Sequence, residues 1–201
     1  MSSSALREPR PDARPHPGAV DDASGAPRPL TFAAVYAEHA PTVARWAVRL
    51  GGPAADVEDI TQEVFLVVNR RLGEFRPDAR MSTWLFGITA KVVANERRRR
   101  KLRQWWLRLA PSAGHDAAAA GDGALEQLEK RERRVLFYRA LDRLSERQRR
   151  ALVLFELEEL SVEDVAAHLA LRPGNARVVL HRARAAFLKS VVACELQKEL
   201  R

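Results

Sequence analysis

The sequence predicts an all-α protein: two small helical domains joined by a flexible linker, the second ending in a helix-turn-helix. Three observations carry this. Apolar residues recur at three- and four-residue spacing along most of the chain after Thr31. Residues that cap helices, such as Asp56, Ser145 and Ser161, stand just before apolar runs. Between two such stretches lies 110–123, APSAGHDAAAAGDG, which is small, polar and punctuated by glycine and reads as a tether. The expected layout is a disordered tail over 1–30, a first domain over 31–104, a linker over 105–124 and a second domain over 125–192.

A hydrophobic content of 46% over 201 residues is enough for one or two cores. The formal net charge of +8 favours a polyanionic partner. The single cysteine, Cys194, excludes a disulfide framework and a multi-cysteine zinc site, and it fits a reducing cytoplasm. No apolar run approaches the roughly 20 residues a bilayer requires, and no secretory h-region opens the sequence. The expectation is a cytoplasmic protein without membrane insertion.

Residues 1–30 hold six of the eleven prolines and too few large apolar groups to offset ordering entropy. From Thr31, a good cap, Phe32, Val35, Val43, Trp46, Ala47 and Leu50 follow helical spacing. Pro41 inside this run predicts a kink or break, and Gly51-Gly52-Pro53 a stop. His39 reads as a packed histidine.

A second helix starts at Asp56, with Val57, Ile60, Val64, Val67 or Val68, and Leu72 as its buried stripe. Its acidic first turns suit the helix dipole. Asp59, Gln62, Glu63 and Leu66 share one outward face. On spacing alone that is a solvated acidic face. Phe65 and Leu66, however, widen the apolar side beyond what one core needs, as a docking helix would.

A polar loop with Arg76, Asp78 and Arg80 leads into a third helix over about 83–103. Six cations in seven positions, Arg97 to Arg103, exceed what capping that helix requires and repel one another unless an anion is present. They point to phosphates. Trp105-Trp106 reads as packing on the bundle, or as a partner contact, with packing the preferred reading.

The second domain begins near Leu125. Ser145 and Gln148 form a capping box, Ser161 and Asp164 another, and Asn175 is expected to cap the last helix. Two short helices, a tight turn at 170–174, a small Ala166 at the crossing and a basic second helix make a helix-turn-helix. A plain helical hairpin has no need of Arg177, His181, Arg182 and Arg184 on its outer side.

No constellation for catalysis is visible. There is no glycine-rich phosphate loop, no H-E-x-x-H and no cysteine pair; the histidines are scattered. Glu158-Glu159 reads as a solvated pair. Neither an enzyme nor a cofactor or metal is expected.

The order of these parts carries a resemblance. DVEDITQEVFLVV resembles region 2.2 of the sigma-70 family in its extracytoplasmic-function (group IV) class. FRPDARMSTWLFGI with the arginine run is similar to regions 2.3 and 2.4, and LDRLSERQRRALVLFELEELSVEDVAAHLALRPGNARVVLHRARAAF to region 4. The likeness covers about 31–104 and 135–190. It implies a bacterial transcription initiation factor that binds core RNA polymerase through Asp56, Asp59, Gln62, Glu63 and Leu66. It implies melting and reading of a minus-10 element by Arg76, Asp78, Arg80, Ser82, Trp84, Lys91, Asn95, Arg97 and Arg98. A minus-35 element would be read by Asn175, Arg177, Val178, His181, Arg182 and Arg184, and an anti-sigma factor would be a partner. Trp84 itself reads as structural, with the loop taking the unstacked base. The sequence departs from the class at Lys91, often Asn, at the start of the last helix, and at Ala170, where many such turns use glycine. A helix-turn-helix repressor acting without polymerase explains 125–190 but neither the acidic helix nor the loop before Trp84. A basic RNA-binding protein leaves the capped turn-and-helix unexplained.

Overall fold

The computed structural model describes residues 30–76, 78–109 and 124–199. These form α1 (Phe32–Gly51), α2 (Val57–Arg71), α3 (Met81–Leu109), α4 (Ala124–Asp142), α5 (Glu146–Leu152), α6 (Val162–His168) and α7 (Pro173–Glu199). A 3-10 turn, Leu72–Glu74, follows α2, and a π-helical stretch, Val153–Leu157, follows α5. No strand occurs among the described residues. The expected tail, up to residue 29, and the core of the expected linker, 110–123, lie outside the described residues.

Capping chemistry sets most helix starts. The Thr31 hydroxyl accepts from the Ala34 N–H, and the Asp56 carboxylate accepts from the Asp59 N–H at 3.1 Å. At α5 the box closes both ways: Gln148 N–H donates to Ser145 Oγ, and Ser145 N–H donates to Gln148 Oε1. Ser161 Oγ accepts from Asp164 N–H at 3.1 Å. Three boundaries differ from expectation. α1 runs through Pro41 without a break, because Pro41 and the Ala37 carbonyl it orphans lie at exposed positions where water can serve. α3 starts at Met81 and continues to Leu109, there being no glycine or proline between Ile88 and Leu109 to end it sooner. α7 starts at Pro173, so Asn175 is not its cap; proline fits a first helical position, where its missing N–H costs nothing.

The helices α1, α2 and α3 form one bundle, and α4 to α7 a second. The two expected helical regions are both present, and in this structure they share buried apolar surface. One buried apolar cluster includes Trp46, Ile60, Val64 and Phe86 from the first half and Leu154, Val165 and Leu180 from the second. A smaller cluster of Leu141, Leu144, Leu152 and Ala183 ties α4 to α7. Phe65 also belongs to the core, edge-on to Tyr36 at 4.7 Å and to Phe32 at 6.2 Å. The apolar surplus expected on α2 therefore reduces to Leu66, which is 51% exposed.

The seam between the halves forms at the end of α1, whose last carbonyls lack donors within the helix. The fully buried Arg149 donates to the Leu50 carbonyl from Nε at 2.9 Å and from Nη2 at 2.5 Å. The Tyr138 hydroxyl donates across to the Val48 carbonyl at 3.4 Å, and within the first half Arg100 of α3 donates to the Gly51 carbonyl at 3.1 Å. These cations meet the negative end of the helix dipole. Gly52 makes the approach possible: its φ is +78°, and a Cβ there would lie 3.0 Å from the Tyr138 ring. Burial, and next the neighbouring Arg97, lower the Arg149 guanidinium to about 10 against the pull of Asp142, which leaves it cationic at neutral pH. Glu158 forms a second tie, 3.2 Å from Arg45 and 2.6 Å from Arg49. Its side chain is nearly buried, so the expectation that it is solvated fails, although Glu159 is exposed.

Candidate nucleic-acid interface

On α2 the acidic first turn and helical spacing place Asp56, Asp59, Gln62 and Leu66 at exposed positions and Glu63 at a half-buried one. None of the four polar residues has an ion-pair partner among the described residues. Beside them a groove of about 900 Å³ runs between α1 and α2, lined by Tyr36, Pro41, Glu58, Gln62 and Leu66 among others. An acidic strip along an apolar-floored groove suits a protein partner with complementary charge, and it repels nucleic acid.

The loop before α3 and the helix itself present the opposite charge. Arg76, Asp78, Arg80, Lys91 and Arg98 are exposed, and Ser82, Trp84 and Asn95 are half-buried. Trp84 packs 5.3 Å from Phe75, as its place on the apolar stripe predicts. Two of the predicted cations are engaged by the second half of the chain. Arg80 pairs with Asp164 at 2.7 Å. Arg97 is only 4% exposed and donates to Asp142 at 2.8 Å and Glu146 at 2.5 Å. Arg97 therefore does not belong to the exposed basic row in this conformation: helical spacing turns it toward α4 and α5, whereas Arg98 points outward.

The helix-turn-helix is built by α6 and α7. The turn is a Schellman motif: Leu171 N–H donates to the Ala166 carbonyl at 2.8 Å and Ala170 N–H to the Ala167 carbonyl at 3.2 Å. Ala170 occupies the left-handed position at φ +52°, where glycine carries no steric penalty. Ala166, Ala176 and Ala183 are buried, which lets the helices approach closely. The outer side of α7 exposes Asn175, Arg177, Val178, His181, Arg182 and Arg184 together. Arg177 pairs with Glu163 at 3.2 Å, and Arg184 pairs with Glu156 at 2.8 Å and sits 4.8 Å over the Phe155 ring. His181 and Arg182 have no such partner among the described residues.

The sequence missed the residues of the seam. Arg149 lies in an arginine-rich stretch and carries no local mark of burial beyond falling one turn from Leu152 and Val153. Both rings of the Trp105-Trp106 pair are exposed, against the preferred reading of packing on the bundle and in keeping with the alternative of a contact surface. No cluster of three or more potential metal ligands occurs among the described residues. No described helix is long and apolar enough to cross a membrane.

Two family models match in the order of the two halves: Sigma-70 region 2 over residues 35–103 and Sigma-70, region 4 over residues 134–187. The chain belongs to the sigma-70 family of transcription initiation factors. Its relatives place it in the ECF group of RNA polymerase sigma factors. It is 33% identical to the ECF RNA polymerase sigma factor SigE of Mycolicibacterium smegmatis, over 87% of this chain and 67% of that one. It is 32% identical to the ECF RNA polymerase sigma-E factor of Escherichia coli K12, over 67% of this chain and 73% of that one. In fold it is similar to the sigma factor RpoE solved with the anti-sigma factor NepR from Bartonella quintana, with a TM-score of 0.53 at 22% identity, over 80% of this chain and 96% of that one. It is also similar to CnrH solved with the cytosolic domain of CnrY, with a TM-score of 0.52 at 24% identity, over 81% and 88%.

Proposed function

We propose that this sigma factor recruits core RNA polymerase to specific promoters by dividing the task between its two halves. The acidic strip of Asp56, Asp59, Gln62, Glu63 and Leu66 docks on the polymerase. The loop with Arg76, Asp78, Arg80 and Ser82, together with Lys91, Asn95 and Arg98 on α3, captures and holds the melted minus-10 strand, with Trp84 as support. α7 enters the major groove of the minus-35 element with Arg177, Val178, His181 and Arg182 toward the bases. The observation that carries this reading is the opposed charge of the α2 strip and the outer face of α7, each exposed on its own half. The halves, 31–104 and 125–192, act as separate recognition units on DNA, which requires the seam at the end of α1 to open. Arg97 joins the strand-binding row once Asp142 and Glu146 have withdrawn. An anti-sigma factor, as in the two solved relatives, is a fitting regulator of such an opening. The chain works in the cytoplasm, without a cofactor and without catalysis of its own.

Run-off transcription with core polymerase on a genomic template is the test. Initiation at a defined set of start sites only when the chain is added supports the reading. A chain that binds an operator tightly and unaided, and that elicits no transcripts with core polymerase, would instead be a repressor.

A further inference from the structure

α3 ends in a surface that the matched family regions do not include. The region 2 match stops at residue 103, and the helix continues two turns further, to Leu109. On that extension Trp105 is 54% and Trp106 60% exposed, with ring centroids 5.0 Å apart and planes at 72°. Leu102 is exposed beside them. Two indoles in water are costly apolar surface, and neither packs on the bundle.

The charge around the pair identifies what it fits. Arg98, Leu102 and Trp105 lie at i, i+4 and i+7, and Arg99, Arg103 and Trp106 repeat the same spacing. Lys101 stands one turn before Trp105. Each ring therefore follows a column of cations, about 10 Å long from first cation to ring. Of Arg98, Arg99, Lys101 and Arg103, Arg103 alone has an acid near it among the described residues, Glu96 at a loose 3.7 Å. The other face of the same helix is occupied by the protein itself, Arg97 by Asp142 of the second half and Arg100 by the Gly51 carbonyl of α1. A protein partner that covers two indoles within such a cationic field must supply acids in register with them. Duplex DNA supplies phosphates but keeps its base faces stacked. Single-stranded DNA supplies both phosphates for the cations and bare base faces for the rings.

We propose that Trp105 and Trp106 form a stacking step for an unpaired base of opened promoter DNA. It lies beyond the region that captures the minus-10 strand, with Arg98, Arg99, Lys101 and Arg103 along the adjoining phosphates. The inference rests on the sigma-factor reading above, because that reading supplies the single strand.

The experiment compares wild type, the Trp105→Ala/Trp106→Ala variant and the Trp105→Phe/Trp106→Phe variant, each as full-length chain in holoenzyme. The readout is the lifetime of open complexes on a promoter mapped by run-off transcription, under competitor challenge. Core binding is measured in parallel. The alanine variant should bind core normally and lose open-complex lifetime by about tenfold, the scale of one stacked base. The phenylalanine variant should recover most of it. Equal lifetimes in wild type and the alanine variant overturn the proposal. Lost core binding in the alanine variant also overturns it, since the rings then touch polymerase instead of DNA. If wild-type holoenzyme opens no promoter at all, the sigma-factor reading falls first and this step falls with it. Open complexes that form normally but do not depend on the rings refute the step alone.

Discussion

The arginines of α3 and those of α7 are alike in sequence and different in use. α7 turns Arg177, Arg182 and Arg184 to solvent, and the acids near them, Glu163 and Glu156, are themselves exposed. Pairs of that kind contribute little and are readily exchanged for phosphate. α3 is split: Arg98 and Arg99 face outward, whereas Arg97 is drawn into the seam with the second half and Arg100 is held on the Gly51 carbonyl of α1. Arg149 on α5 goes further and is wholly buried on the Leu50 carbonyl. A cluster of arginines thus has two destinations, an external anion or the protein's own carbonyl and carboxylate groups. What decides between them is the face of the helix each residue occupies.

Arg149→Met is the largest expected break in this scheme. It leaves the Leu50 carbonyl without its donor in a buried place, a loss of about 1–3 kcal/mol, and it deprives Asp142 of a charged partner. The partial relief of burying no charge lowers the net effect, so we expect a loss near 2 kcal/mol. Urea unfolding measures it. An unchanged midpoint would show that the seam adds nothing to the stability of the free chain.

Arg177→Ala tests the other destination. Its pair with Glu163 is exposed on both sides, so folding stability should not move. Preference at one upstream base pair should fall by about 1–3 kcal/mol, read as the spread of initiation rates over promoters substituted singly in that element. If every base pair keeps its preference, α7 reads shape or phosphates and not that base.

Glu146→Gln sharpens the comparison from the α3 side. Glu146 is half-exposed and, among the described residues, bonds Arg97 only. Weakening its hold should let Arg97 reach phosphate. Non-specific DNA binding by the free chain should then gain up to about one unit of slope in a plot of log affinity against log salt. An unaltered slope means that Asp142 alone retains Arg97.

These variants also show what was legible in the sequence. Thr31, Asp56, Ser145 and Ser161 announce their helices because a cap is a contact over three residues. The outer face of α7 was legible for a similar reason, since periodicity alone separates Arg177 and His181 from Ala176 and Leu180. Arg149 bonding Leu50, Arg97 bonding Asp142 and Glu158 bonding Arg49 span 45 to 109 positions. No local pattern distinguishes such residues from solvated ones. Asn175 failed as a cap because Pro173, two residues earlier, offers a better first turn. Trp105 and Trp106 failed because hydrophobicity predicts burial only where another element lies opposite.

Acid should weaken the contact between the halves through His168. It is buried edge-on to Phe86 at 5.5 Å, its Nδ1 is 2.8 Å from the Asp164 carbonyl, and Arg80 and Arg150 lie near. Burial is the main cause that lowers its pKa below 6.5; the hydrogen bond to Asp164 and its charge oppose this, and the two arginines add to it. As pH falls below 6.5 the unfolded chain takes up a proton first. The stabilisation is therefore present above 6.5 and is lost as pH falls through the lowered value of the folded state. The difference in urea midpoint between wild type and His168→Gln should shrink over that interval. A difference that is constant with pH would remove His168 as the cause.

The smallest effect concerns the turn that aims α7. Ala170 holds φ +52° at the end of α6, and a left-handed alanine costs roughly 1–2 kcal/mol that glycine does not incur. Glycine in turn makes the unfolded chain more flexible, an opposing term of about 0.4–1 kcal/mol. Ala170→Gly should therefore stabilise the protein by about 0.5 kcal/mol in urea unfolding. Ala170 is exposed and lies outside the row from Asn175 to Arg184, so promoter preference should not change. The paired variant Ala170→Val should move the other way by a larger step, since a β-branched side chain tolerates that conformation worse. Together the two separate backbone strain from contact. If both variants destabilise equally, the methyl group of Ala170 makes a contact that matters more than the strain, and the turn is held by packing instead of by its Schellman hydrogen bonds.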